Sequence, residues 1–287
     1  MVFVAHVCIQ PVEMMMSRLL VRPEAFRNRI EDFGYEFLSF QVRKMAQGEK
    51  YDGEIEGTEL AIVVLGGICS VKSSRGEWQR FGGRKTVFGG LPYTLYLPMK
   101  TRFTITAETD CDLALCYSRA EEEHPPSLVT PDQVGIEIRG GGNATRQINS
   151  MVPPKFSAHR LIVVEVFTPA GNWSSFPPHK HDVHNPPAEV DLEEIYYYRI
   201  ERPEGFAIQK VYTPDRHIDE TITVRDGELV LVPEGYHPMV AAHGYNAYYL
   251  NALAGSARSL AASDDPDYAW VKETWHDRDP RVPMVRR

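Results

Sequence analysis

The chain has 287 residues, with 31 Lys or Arg against 39 Asp or Glu, giving a net charge of −8. That acidic balance excludes a polyanion-binding role, which needs a basic surface, and sets nucleic acid aside as a partner. A hydrophobic share of 43% with 10% aromatics excludes general disorder. No apolar run approaches the roughly 18 residues that a membrane-spanning helix requires, so no membrane partner is expected.

Met1–Gln10 is apolar but lacks the basic region and cleavage site of a secretory signal. Met14-Met15-Met16 offers an alternative start, and the protein is expected in the cytoplasm. The four cysteines, Cys8, Cys69, Cys111 and Cys116, form no CxxC pair and read as reduced, mostly buried thiols.

From there β signals dominate. Leu60–Leu65 ends at Gly66-Gly67 and resumes as Ile68–Lys72, followed by Tyr93–Tyr96, Arg102–Ala107 and Leu113–Tyr117, each bounded by Gly, Pro or Asp. Helix-like pieces fall only after Pro23, near Met45 and toward the C-terminus. Gly140-Gly141-Gly142-Asn143 lies close to mid-chain and is expected to join two similar β domains, 17–138 and 139–287. The second series of strands is Leu161–Phe167, Glu194–Ile200, Ala207–Tyr212, Thr221–Val224, Glu228–Val232 and Ala247–Leu253.

The halves differ in polar content. No histidine stands between His6 and His124, whereas the second half carries His159, His179, His181, His184, His217, His237, His243 and His276. The chemistry is therefore expected there. On an extended segment, residues two apart share a side, so His179 and His181 project together while Lys180 turns away. Downstream, Glu193-Glu194 heads a strongly β-forming run of tyrosines, and Val230–Pro238 delivers His237 beside a Gly-containing turn. Counted back from the strand, Glu194 matches the carboxylate position of the cupin barrel, which these segments resemble, better than Glu193, with Glu189 a distant third. An inward Glu194 takes Tyr196 and Tyr198 with it and turns Glu193, Ile195 and Tyr197 outward. His184, His217 and His243 are expected at the surface and His159 at an edge.

This order, His-x-His, then Glu, then His, resembles the two-part signature of the cupin barrel. The resemblance implies that His179, His181, Glu194 and His237 converge on one divalent ion, with Zn, Mn or Fe suited to three imidazoles and a carboxylate. Gly171–Asp182, Leu192–Tyr198, Gly205–Thr213, Leu231–Pro238 and Tyr248–Gly255 resemble the 5-deoxy-glucuronate isomerases of myo-inositol catabolism, as do Phe81–Arg84, Leu95–Pro98 and Arg139–Asn143. The broader relative is the ketol-isomerase of pectin breakdown.

The resemblance implies an all-β bicupin, two tandem antiparallel barrels with few short helices, the first without metal ligands. It further implies a homo-oligomeric aldose–ketose isomerase acting on a small sugar acid. The substrate contacts to be tested are Lys180, Tyr198, Gln209 and Tyr249, with Lys210 and Arg199 as further cations; the general base is left unassigned. A cupin dioxygenase and a non-enzymatic sugar-binding bicupin are the alternatives.

Overall fold

The structure is a computed structural model describing residues 17–286; the alternative start at Met14–Met16 and Cys8 lie outside them. The chain is almost wholly antiparallel β. A four-residue helix follows at Pro23–Phe26, with proline at its first position, and a 3-10 turn covers Ala269–Thr274. Met45 ends a strand, Leu38–Met45, rather than lying in a helix. No helix among the described residues is long and apolar enough to cross a membrane.

The first half holds a five-stranded sheet in the order Ser127–Val129, Thr94–Leu97, Thr58–Gly66, Cys111–Arg119, Leu38–Met45. It faces a four-stranded sheet, Lys50–Ile55, Thr101–Ala107, Ile68–Ser73, Gly76–Gly82. Each sheet is open in its strand order, so the space expected inside a closed barrel is here the space between two sheets. Leu60, Ile62 and Val64 point into that space with Ile105, Leu113 and Leu115. Ala61, Val63 and Leu65 point the other way, into the core shared with the second half. Burial on both faces is why this stretch reads as an unbroken apolar run instead of an alternation.

The second half is built the same way. A seven-stranded sheet runs Leu20–Val21, Leu229–Val232, Leu192–Ile200, Ala247–Gly255, Ile162–Thr168, Arg146–Val152, Gly135–Arg139. Trp173–Ser174, Met239–Ala241, Phe206–Tyr212 and Asp219–Arg225 form a second sheet, whose Ala207, Val211, Ile222 and Met239 are buried in the same core. Two details depart from expectation. Gly140–Gly142 is the turn between paired strands Gly135–Arg139 and Arg146–Val152, so the chain changes sheets before Gly135 and not at the glycines. Leu20–Val21, from the start of the described chain, pairs with Leu229–Val232 in the second half's sheet.

The halves are braced by two carboxylates used reciprocally. Glu59, fully buried in the first half, accepts the backbone N–H groups of His159 (2.7 Å), Arg160 (2.7 Å) and Leu161 (2.6 Å) and the Tyr96 hydroxyl (2.7 Å). Glu193 in the second half accepts those of Glu36 (2.6 Å), Phe37 (2.9 Å) and Leu38 (3.0 Å). Between them Arg84 and Glu165, both buried, pair at 3.0 Å across the interface. Replacing Glu59 by Ala strips the partners from three amides and a phenol, at about 1–3 kcal/mol for each group left buried and unpaired. Glu59→Ala is therefore expected to lower the unfolding free energy in urea by at least about 2 kcal/mol; a change within measurement error would show that this brace is not structural.

Candidate functional site

The strand Leu192–Ile200 lies inside the seven-stranded sheet, paired with Leu229–Val232 on one side and Ala247–Gly255 on the other. Alternation puts Glu194 and Tyr196 on the same face as Tyr249, Asn251 and Leu253 of its neighbour, and these residues line one pocket with Ile148, Ser150, Val164 and Val166. The opposite face carries Glu193 and Tyr197. Instead of opening to solvent along its length, that face is covered at its centre by the first half: Tyr197 packs edge-on against Phe26 (6.0 Å between ring centroids), beside Phe40 at 5.5 Å.

His181, Glu194 and His237 come together at the pocket's inner end, all buried, with one potential ligand atom from each within 4.8 Å of the others. The His181 Nδ1–H donates to the Leu192 carbonyl (3.1 Å) and the His237 Nδ1–H to the Gly235 carbonyl (2.9 Å). Both Nε2 atoms are thereby aimed at one carboxylate oxygen, Glu194 Oε2, at 2.8 Å from His181 and 3.3 Å from His237. Backbone acceptors on Nδ1 fix the tautomer that presents Nε2 to a metal. His179 stands beside this trio, its ring 4.8 Å from that of His237 and 6.4 Å from that of His181; it is half-buried and lines the same pocket.

The turn that delivers His237 needs glycine at 235. Its φ of +86° is left-handed, and a Cβ there would lie 2.5 Å from the Tyr212 carbonyl oxygen. The Gly235 N–H in turn donates to Asp182 (2.8 Å). Lys180 is ion-paired to that Asp182 and to Glu189 (2.8 Å), so it braces the loop from behind and does not reach the pocket. Glu189 is held there as well, accepting the N–H groups of Asp182 and Val183, which removes it from the candidates for metal ligation.

Of the other expected contacts, Tyr249 lines the pocket with its hydroxyl 2.5 Å from Ser174 Oγ. Tyr198 and Gln209 lie in a layer outside the pocket lining, where the Tyr198 hydroxyl donates to Gln209 Oε1 at 2.9 Å. Lys210 pairs with Asp219, and Arg199 with Asp112 (2.6 Å) and Asp226 (2.9 Å). His159 accepts from the Glu122 N–H, away from the pocket, and His184 and His217 are exposed. Pocket residues that the sequence reading passed over are Ser175, Asn251, Arg139 and Arg146. The only sequence signal for Arg146 was the alternation Arg146, Ile148, Ser150 on a strand hidden beside the glycine run.

Burial keeps His179 and His237 neutral, pushing each imidazole down to about 3. His181 is pushed down by burial too, but the Glu194 carboxylate more than reverses this and holds it above its ordinary value. Burial also raises the Tyr196 and Tyr249 hydroxyls, so both remain protonated near neutrality.

The profile of the KduI/IolB family matches residues 25–271. This chain belongs to the KduI/IolB family. Within that family a curated protein of Geobacillus thermodenitrificans named 5-deoxy-glucuronate isomerase is 44% identical over 245 residues, 85% of this chain and 89% of its own. A Bacillus subtilis protein of the same name is 41% identical over 239 residues, 83% of this chain and 88% of its own. The crystal structure of an IolB-like protein from Salmonella typhimurium superposes with a TM-score of 0.85 at 37% identity, covering 89% of this chain and 99% of that one. Oxalate decarboxylase of Bacillus subtilis shares the fold at 14% identity, with a TM-score of 0.57 over 80% of this chain and 71% of its own. The almost wholly antiparallel β architecture is thus shared with the IolB-like structure.

The neutral histidines carry a pH signature. An unfolded histidine titrates near 6.5, so below that pH the unfolded chain takes up protons at positions 179 and 237 that the metal-free folded chain refuses down to about 3. Stability should fall as pH drops through this window, by up to one proton per histidine, with His181 partly opposing the trend. In urea melts of metal-free protein at pH 7 and pH 5, His237→Asn is expected to show a shallower loss than wild type. An equal loss would contradict the buried, neutral state of His237.

Proposed function

We propose that the chain is a metal-dependent 5-deoxy-glucuronate isomerase, converting 5-deoxy-D-glucuronate to 5-dehydro-2-deoxy-D-gluconate in the cytoplasm as a step of myo-inositol catabolism. The observation that carries the metal is His237 Nε2, a buried nitrogen with no hydrogen-bond partner. Its proton is committed to Nδ1, so its lone pair and that of a Glu194 oxygen face each other at 3.3 Å. Two lone pairs so placed repel unless a cation lies between them, and the donor set of imidazoles and a carboxylate suits Zn, Mn or Fe. His181, Glu194 and His237 would hold the ion, with His179 completing the set from the rim. The isomerase names of the relatives support the choice of reaction.

The reaction moves a hydrogen from C2 to C1 of the open-chain sugar acid while the C2 hydroxyl proton passes to the C1 oxygen. A divalent ion bound at the trio supplies Lewis-acid polarisation of the two adjacent oxygens. The chain's own contribution is a walled site in which charged and polar side chains, among them His179, His181, Glu194, Arg146 and Asn251, stand beside an apolar strip of Ile148, Val164, Val166 and Leu253. Val164, Val166 and Leu253 restrict water, and the Tyr249 and Tyr196 hydroxyls, both protonated, stand as donors to substrate oxygens. Ser174 and Ser175 fix those two phenols, at 2.5 Å from Tyr249 and 3.0 Å from Tyr196.

Two results test this. Chelation should abolish conversion of 5-deoxy-glucuronate followed by NMR, and a single divalent ion should restore it; full activity in metal-free protein would overturn the metal's role. His237→Gln and Glu194→Gln should each weaken metal affinity by more than the roughly 10- to 100-fold that loss of an outer-shell partner costs. Undiminished metal content by elemental analysis in both would place the ion elsewhere.

A further inference from the structure

A sugar acid brings a carboxylate into the pocket, and the cations first expected to meet it are already neutralised. Lys180 is tied to Asp182 and Glu189, Lys210 to Asp219, and Arg199 to Asp112 and Asp226. At the pocket itself, Arg139 is held bidentate by Glu137, at 2.8 and 2.9 Å, and Lys272 at the outer mouth pairs with Asp264. One cation differs. Arg146 is 4% exposed, lines both the inner pocket and its outer mouth, and makes no ion pair among the described residues.

We propose that Arg146 binds the carboxylate of the substrate, an assignment that rests on the isomerase reading above. The geometry of the guanidinium supports it. Nη1 donates to the Ala144 carbonyl (3.1 Å) and the Phe176 carbonyl (3.2 Å), which anchors the head group 5.7 Å from the Trp275 ring centroid, while Nε and Nη2 make no hydrogen bond among the described residues. Arginine carries five N–H donors in a planar fork, and the donors left over match a carboxylate in shape and charge.

A buried cation without a counter-ion is costly, as the second buried arginine shows by contrast: Arg84 has its carboxylate, Glu165, at 3.0 Å. The burden on Arg146 is visible in its guanidinium, which burial pulls down to about 10. Room for it comes from the glycine run. Gly140 has φ +89°, and a Cβ there would lie 2.0 Å from the Ala144 oxygen and 3.0 Å from Arg146 Nη1.

Strand parity fixes the direction. Arg146, Ile148 and Ser150 share the pocket face of their strand, and that face continues across Val164 and Val166, then Tyr249, Asn251 and Leu253, to the side of the next strand that carries Tyr196 and Glu194. A substrate whose oxygens lie at the His181–Glu194–His237 end therefore extends its other terminus toward Arg146 and the solvent mouth.

The test compares 5-deoxy-glucuronate with its primary amide, in which an uncharged group of the same shape replaces the carboxylate. Wild type should prefer the acid. R146Q should raise KM for the acid on the order of 10- to 100-fold, change kcat far less, and bring the acid-to-amide ratio of kcat/KM close to one, with R146K between the two. Circular dichroism and metal content identify variants that remain folded and loaded, and R146M serves should R146Q not fold. A wild type without preference for the acid, or a folded variant with an unchanged ratio, would overturn the assignment. If wild type turns over neither compound, the isomerase reading fails separately. Arg146 is then judged by calorimetric titration of the Mn2+-loaded proteins with D-glucuronate: weaker binding to R146Q supports it, and equal binding, or none to either protein, overturns it.

Discussion

The structure depends on two adjacent carboxylates on one strand. Glu193 and Glu194 must point in opposite directions because the pleat alternates, and each direction has its own task. Glu193 receives three backbone amides of the first half, while Glu194 faces His181 and His237 across the second half's sheet. The same parity sends Tyr197 into the contact between halves and Tyr196 into the pocket. A one-residue slip of this strand would undo the docking and the histidine cluster together; its register is held along its whole length by Ala247–Gly255 and from Glu194 to Tyr197 by Leu229–Val232.

That coupling gives the first half a role without metal ligands. Its five-stranded sheet supplies one wall of the shared core through Phe40, Ala61, Val63 and Cys116, and Glu59 clamps the segment that enters the strand Ile162–Thr168. This strand contributes Val164 and Val166 to the pocket on one face and Glu165 to Arg84 on the other. The ligand-free half thus holds the floor of the site in place.

Much of this was legible in the residues. Strong apolar runs mark their strands to within a few residues of the ends, and Leu60–Leu65 marks Thr58–Gly66 although it does not alternate. The grouping of His181, Glu194 and His237 follows from the order His-x-His, Glu, His that carries the cupin resemblance, since the spacing of two by itself only sets His179 and His181 on one side. Strands with mixed composition were missed: Gly135–Arg139 and Arg146–Val152 hide beside the glycine run, whose turn residues read more readily as a junction. Lys180 shows another limit. Parity turned it from the ligands, but its engagement by Asp182 and Glu189 depends on a loop closing around it. Arg146 was illegible for the converse reason, since lacking a counter-ion is a property of three-dimensional surroundings and leaves no mark in the order of residues.

The pairing of Leu20–Val21 with Leu229–Val232 has a consequence for biosynthesis. These segments are about 210 positions apart in a chain of 287, so the early strand has no partner until Leu229–Val232 is made, and without that strand Leu229–Val232 would be a bare edge of the large sheet. A fragment that began after the first strand would keep that bare edge permanently and could recruit other chains through it. The early segment therefore acts as a built-in cover, held in reserve until the last strands emerge.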